Sequence, residues 1–454
     1  MARLPERALS FDLVFRARRV VTPSGEAARC VAVRGGRIAA VEPFEAASRG
    51  AQMIELTDDE VLMPGLVDTH VHVNEPGRAD WEGFPTATAA AAAGGITTII
   101  DMPLNSLPPT VSPDALASKR SAAVGRCHVD VGFWGGAIPG NRTELRGLHD
   151  RGVFGFKCFL LPSGVPEFPP LGEAELEADL ATLRQLDALT IIHAEDADII
   201  GRAPKPRGRD YSAFLASRPA EAETAAISRA VNLAHRTGAR IHILHLSSAD
   251  ALRVIQQARR DGIRVTAETC PHYLVFCAEQ IPDGATQFKC CPPIRQARNA
   301  DRLWSGLAAG AIDCVVSDHS PCTPDLKCLD TGDFGAAWGG IASLQVGLAA
   351  VWTTARRRGW RPEALAHLMA ARPAAIAGLR RKGTIEVDRD ADFCVFAPDE
   401  EFVVDPARLR HRNPVTPYEK LALMGVVRAT WLRGRRVTGG SPHGELLVRE
   451  GARR

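Results

Sequence analysis

The stretch VLMPGLVDTHVH, residues 61–72, decides the fold. It is apolar on both faces until it ends in two histidines with one residue between them. Alternate residues of a strand share a face, so His70 and His72 point the same way, as two ligands of one ion must. A strand apolar on both faces belongs in a parallel sheet covered on both sides. Seven further runs have this character: ITTIIDM (96–102), VDVGFWGG (129–136), GFKCFL (155–160), LTIIHAED (189–196), RIHILHLSS (240–248), RVTAETCPH (264–272) and DCVVSDHS (313–320). Helical stretches such as PTATAAAAAG (85–94) and AEAETAAISRAVNLAHRTG (220–238) lie between them. Strands alternating with helices read as parallel βα units. Eight units imply an α/β chain whose residues 59–382 close into a (β/α)8 TIM-type barrel.

The two ends resemble each other and differ from the middle. Residues 11–42 carry short β-rich runs punctuated by Pro23-Ser24-Gly25 and Gly35-Gly36. GTIEVDRDADFCVFA (383–397) and GVVRATWLRGRRVT (425–438) have the same texture. Residues 1–58 and 383–454 are therefore expected to build one small β domain from both termini.

In a parallel barrel the active site lies at the C-terminal strand ends, and the ionisable residues fall there. The first strand ends in His70 and His72, the fourth carries Lys157, the fifth ends in His193, the sixth in His245 and the eighth in Asp318. His242 and His245 are three apart, so strand alternation turns them to opposite faces. His245, nearer the strand end, is expected inside and His242 against the helix layer. A single histidine on an apolar strand is usually structural; a set at equivalent strand ends is what marks a site. Four imidazoles and a carboxylate suit zinc or a similar divalent ion. Lys157, between Phe156 and Phe159, is expected to be buried, which favours the neutral amine. A neutral amine can add carbon dioxide and become a carbamate able to bridge two ions; a buried salt bridge to Asp318 is the alternative.

Composition narrows the function classes. A formal charge of +2, with 24% charged and 45% hydrophobic residues, offers no footprint for nucleic acid. Arg356–Arg358, the densest basic cluster, reads as a solvated helix end. No apolar run reaches the roughly 18 residues of a membrane span. MARLPERALSFDLVF lacks the apolar core of a signal peptide, so a cytoplasmic protein is expected. Eleven cysteines in 454 residues do not make a disulfide framework. Cys30, Cys158, Cys314 and Cys394 lie in predicted strands as small buried thiols, and the adjacent Cys290 and Cys291 have the wrong spacing for a zinc knuckle.

GLVDTHVH, GFKCF, IIHAED, HILHLSS and SDHSP together resemble the amidohydrolase superfamily, in particular its cyclic-amide hydrolases: the dihydroorotases, hydantoinases and allantoinases. The resemblance covers nearly the whole chain. It implies His70, His72 and Asp318 at one metal, a carbamylated Lys157 as bridge, and His193 and His245 at a second metal. Zinc is the expected ion and Asp318 the general base. DTHVHVNEPGRADWEGF, DMPLNSLPPT, KCFLLPSG, ETCPHYL, KCCPPIR and AWGGI resemble the allantoinase branch. Dihydroorotases carry Arg where this chain has Asn74, and hydantoinases a Tyr shortly after the bridging lysine, where this chain reads Phe159 to Ser163. Cys291 stands where many relatives have Ser.

The resemblance implies hydrolysis of the ring amide of a small cyclic ureide, allantoin, to allantoate in purine breakdown. Asn74, Ser163, Cys291 and the Gly339-Gly340 loop are the substrate contacts it suggests, and a homo-oligomer, a tetramer, is the assembly. His272 and His319 either orient ligands or fill the core. The rival readings are a hydantoinase or dihydropyrimidinase, a dihydroorotase, and a non-catalytic scaffold of the same fold, which would have lost metal ligands.

Overall fold

The computed structural model describes residues 11–452. The stretch 1–10, used above against a signal peptide, and residues 453–454 lie outside the described residues. VLMPGLVDTHVH is two strands, Val61–Pro64 and Leu66–Val71. Pro64 has no N–H with which to continue a ladder, and a Cβ on Gly65 would lie 2.3 Å from Thr97 Oγ1. Only Leu66–Val71 enters the barrel. Val61–Pro64 pairs antiparallel with Phe393–Val403, Leu62 opposite Val395, and meets Phe11–Thr22 at Val20. The terminal sheet therefore reaches Pro64, past the boundary at 58 that the sequence suggests.

The barrel strands are Leu66–Val71, Ile96–Asp101, Asp130–Phe133, Phe156–Phe159, Leu189–His193, Arg240–Ile243, Val265–Thr269 and Cys314–Val315, all parallel. Beyond Trp134 the third strand resumes as Gly135–Gly136; its first part pairs with the second strand and this second part with the fourth. Between strands eight and one there is no ladder. The seam is closed by a bridge of Val71 to His319, by His72 N–H donating to His319 O at 2.8 Å, and by Ser317 N–H donating to Asp68 Oδ2 at 3.0 Å. The helices Phe84–Ala93 and Ala220–Thr237 form where the sequence places them. The second buries Ala222, Ala226, Ile227, Ala230, Val231 and Leu233, a stripe at helical spacing. Among the described residues no helix is long and apolar enough to cross a membrane.

The terminal sheet runs in the order Arg435–Arg436, Ala422–Leu432, Phe393–Val403, Val61–Pro64, Phe11–Thr22, Gly25–Arg34, Arg37–Pro43, with Gly50–Glu55 also paired to Phe11–Thr22. Phe15 fills its centre, edge-on to Phe393 and Trp431 at 5.2 Å each. The chain then returns to the barrel: Leu446 bridges Val131, and Leu447 N–H donates to Val131 O at 2.8 Å. Charge ties the two parts together. Lys382 Nζ lies 2.7 Å from Asp130, 3.0 Å from Asp390 and 2.7 Å from Asp392, and Arg433 reaches Asp130 at 2.5 Å. Asp130 opens the third barrel strand and Asp392 immediately precedes a strand of the terminal sheet. Burial works against the Lys382 ammonium, but the three carboxylates more than compensate and raise its pKa. Lys382→Met removes the central cation from three buried carboxylates. It is expected to cost about 3–5 kcal/mol, read as a lower denaturation midpoint; an unchanged midpoint would show that the cluster does not hold the two parts together.

Candidate metal centre and substrate cavity

The structure brings His70, His72, Lys157, His193, His245 and Asp318 to one end of the barrel. Lys157 sits mid-strand and His193 closes the fifth strand. His245 and Asp318 lie just beyond their strands, with φ of 33° and 45°. Non-glycine residues rarely adopt this left-handed backbone, and here it turns each side chain back over the barrel mouth. His70 Nε2 is 3.1 Å and His72 Nε2 3.6 Å from Asp318 Oδ1. The His70 and His245 rings are 5.3 Å apart and those of His193 and His245 4.5 Å. His70, His245 and Asp318 each offer a ligand atom within 4.8 Å of the others'.

The chemistry of this donor set fits a cation. His245 Nδ1 is buried without a hydrogen-bond partner, a costly state for a polar atom that coordination relieves, and His70 Nε2 faces only the Asp318 carboxylate. Burial opposes the charge on Asp318, yet the imidazoles of His70, His245 and His72 hold its carboxyl well below the usual range. Burial opposes protonation of His70 too, but Asp318 and Glu268 raise its pKa to about 9. Lys157 is almost fully buried, and burial pulls its pKa down to about 8 against the attraction of Asp318 and Glu268. Its ammonium forms no ion pair with Asp318; the group it meets is the Phe159 ring, 4.9 Å from Nζ to centroid.

Two buried acids that the sequence analysis did not single out stand behind the histidines. Glu268 Oε1 is 2.5 Å from His70 Nδ1, and its Oε2 is 3.0 Å from His242 Nε2. His242 Nδ1 in turn lies 2.7 Å from Thr266 Oγ1. His242 thus faces the barrel interior, in register with Ile191 and Lys157, and not the helix layer. The alternation argument fails because the sixth strand ends at Ile243, so His245 has left the pleat. Glu195 Oε2 is 2.7 Å from His193 Nε2, and Arg218 pairs with the same carboxylate. Arg218 and His193 overcome the burial of Glu195 and lower its pKa to about 2; His70 and His242 do the same for Glu268. The available signal was an acid two residues after His193 in HAED and the acid of ETCPH at a strand end. His319 Nε2 is 3.1 Å from buried Glu82, whereas both ring nitrogens of buried His272 lack partners.

A cavity of about 400 Å³ opens over the cluster, lined by His72, Lys157, His193, His245 and Asp318 and also by Ser163, Cys291, Gly339 and Gly340. Asn74 is not on its wall. It is fully buried, with Nδ2 3.4 Å from Pro321 O, and its backbone N–H donates to Glu82 O at 3.1 Å. The Ser163 hydroxyl is engaged by Phe168 O at 2.6 Å. Gly340 has φ +125°, and a Cβ there would lie 2.2 Å from Ser320 O, so only glycine fits. Two buried lysines hold this loop by its carbonyls: Lys289 binds Ala337 O at 2.5 Å, and Lys327 binds Trp338 O at 3.1 Å and also Gly340 O.

The family model of the amidohydrolases matches residues 61–437. The chain belongs to the amidohydrolase family. Over 97% of its length it is 56% identical to an allantoinase of Streptomyces avermitilis, covering 99% of that protein. An allantoinase of Arabidopsis thaliana is 42% identical over 94% of this chain and 88% of its own. Among solved structures, the L-hydantoinase (dihydropyrimidinase) of Arthrobacter aurescens superposes with a TM-score of 0.89 at 31% identity, covering 97% of this chain and 98% of that one. These likenesses make the chain a cyclic amidohydrolase. Amidohydrolases depend on metal, and the strand-end cluster is this member's candidate ligand set. A carboxylate that fixes a ligating imidazole commonly governs metal affinity by 10–100-fold. Glu268→Gln should therefore weaken binding of added divalent zinc by about that factor in a chelator-competition titration; unchanged affinity would reduce Glu268 to a core residue.

Proposed function

We propose that this amidohydrolase opens the hydantoin ring of allantoin by hydrolysing its ring amide to give allantoate, a step of purine breakdown. The observation that carries the reading is the set of ligand-type side chains at one small cavity, His72, Lys157, His193, His245 and Asp318 on its wall and His70 against Asp318, in a chain similar to allantoinases over nearly its whole length. His70, His72 and Asp318 would hold one divalent ion, expected to be zinc, and His193 and His245 a second, with a carbamate on Lys157 shared between them. When bound, such ions supply a polarised ring carbonyl and a water acidic enough to attack near neutral pH. Asp318, kept ionised by the surrounding imidazoles, takes the proton of the attacking water and returns it to the leaving ring nitrogen. Glu268 and Glu195 keep the His70 and His193 rings oriented while charge shifts. Phe159, stacked on His193 at 4.6 Å, shields one side of the cluster from water. The lowered pKa of Lys157 provides the neutral amine that adds carbon dioxide and releases a proton.

The hydantoinase reading is favoured by the solved neighbours, yet the identity to allantoinases is higher. The scaffold reading is opposed by the complete cluster. We place the enzyme in the cytoplasm, where the eleven cysteines, all unpaired in the structure, remain reduced. A homotetramer, expected from the resemblance, is checked by light scattering.

Side-by-side kinetics test the substrate. The kcat/KM for allantoin should stand well above those for hydantoin, dihydrouracil and dihydroorotate; a preference for any of these would overturn the assignment. Metal analysis of protein purified without chelator should approach two ions per chain, and Lys157→Ala should lose metal and turnover together. Asp318→Asn should retain metal yet turn over at least about 100-fold more slowly. Near-normal turnover of that variant would move the base elsewhere.

A further inference from the structure

Arg218 lies between the helices Tyr211–Ala216 and Ala220–Thr237. Its Nε is 3.0 Å from Glu195 Oε1 and its Nη2 2.5 Å from Glu195 Oε2, a two-pronged pairing. Glu195 is fully buried and also engages His193 through Oε2 at 2.7 Å. The Arg218 carbonyl is held by Arg295 Nη1 at 3.2 Å. Both the backbone and the guanidinium plane are thus fixed. Among the described residues the remaining nitrogen, Nη1, forms no hydrogen bond. The residue lines the cavity beside His193 and Cys291, and its side chain is 17% exposed.

Three other polar side chains of that wall have donors engaged by backbone carbonyls. The Ser163 hydroxyl is taken by Phe168 O, the Ser217 hydroxyl by Phe214 O, and Lys289 by Ala337 O and Gly335 O. Asn74, which the sequence suggests for the ureido arm, is off the wall. Arg218 retains free donor capacity in a preset direction. Its charge is offset by Glu195, so the free edge acts as a strong donor without the field of an unpaired cation. A single free nitrogen whose cation is already shared with Glu195 can donate one hydrogen bond to a neutral carbonyl oxygen.

We propose that Arg218 recognises the ureido arm of the substrate, its Nη1–H donating to the arm's carbonyl oxygen. This makes it a specificity-determining residue, coupled through Glu195 to His193. The inference rests on the allantoin reading above. That reading fails separately, and earlier, if the wild-type enzyme does not hydrolyse allantoin.

The test uses metal-loaded wild type and the variants Arg218→Met and Arg218→Lys. Allantoin is compared with hydantoin, the same ring without the arm, followed as an alternative substrate or a competing ligand. Arg218→Met should raise KM for allantoin by about 10- to 100-fold, the scale of one charge-assisted hydrogen bond. Any loss of metal or turnover that comes through the unpaired Glu195 falls equally on both rings, so the reading is the ratio of the two KM values at saturating metal: KM for allantoin should rise by that factor relative to KM for hydantoin. Arg218→Lys keeps a cation on Glu195 but loses the fork, and should show the same allantoin-selective rise. It decides the matter if the methionine variant does not fold. An unchanged KM for allantoin, an equal loss with both rings, or loss of metal in the lysine variant would each overturn the proposal, leaving Arg218 a support for His193 only.

Discussion

The seam between the first and last barrel strands is the constraint on which the site depends. The eighth strand is only two residues long, Cys314–Val315, and it forms no ladder with the first. The contact is instead His319 O receiving the N–H of His72, and the Asp68 carboxylate receiving the N–H of Ser317. These two hydrogen bonds bracket Asp318 and place it against His70 and His72. A regular ladder would keep Asp318 in the pleat; the short strand frees its backbone to adopt the left-handed conformation that aims the carboxylate over the barrel axis.

Charge balance then explains the layer behind the ligands. Buried carboxylates are expensive unless paired, and each here has a partner: Glu268 between His70 and His242, Glu195 between His193 and Arg218, Glu82 against His319. An amidohydrolase centre that gathers divalent charge gains from anions one bond behind its imidazoles. They fix each ring and the nitrogen it presents.

The cavity wall is where members of one fold diverge. The same barrel carries hydantoinases and allantoinases, so discrimination belongs to the loops above the strands. In this chain that wall is tied down by contacts: Lys289 and Lys327 bind the carbonyls of the Gly335–Gly340 loop, and Trp338 packs edge-on against Trp81 at 5.1 Å. A fixed wall supports recognition by placed donors rather than by adaptation to the ligand.

The sequence by itself determined the barrel, the sharing of one sheet by both termini, and the six side chains now gathered at the strand ends. All are local signals: two-sided apolar runs, a period of two in His70 and His72, and a lysine in an aromatic strand. Only the tertiary structure decided where those signals stop. Gly65 splits the opening stretch because of Thr97, a residue of the neighbouring strand. His242 faces inward because its strand ends early, and Asn74 is sealed away by Pro321 and Glu82, far along the chain or around a turn. Glu268, Glu195 and Arg218 carry no motif of their own. Their place beside the ligands depends on contacts between separate strands and loops, which a pattern of near neighbours along the chain does not encode.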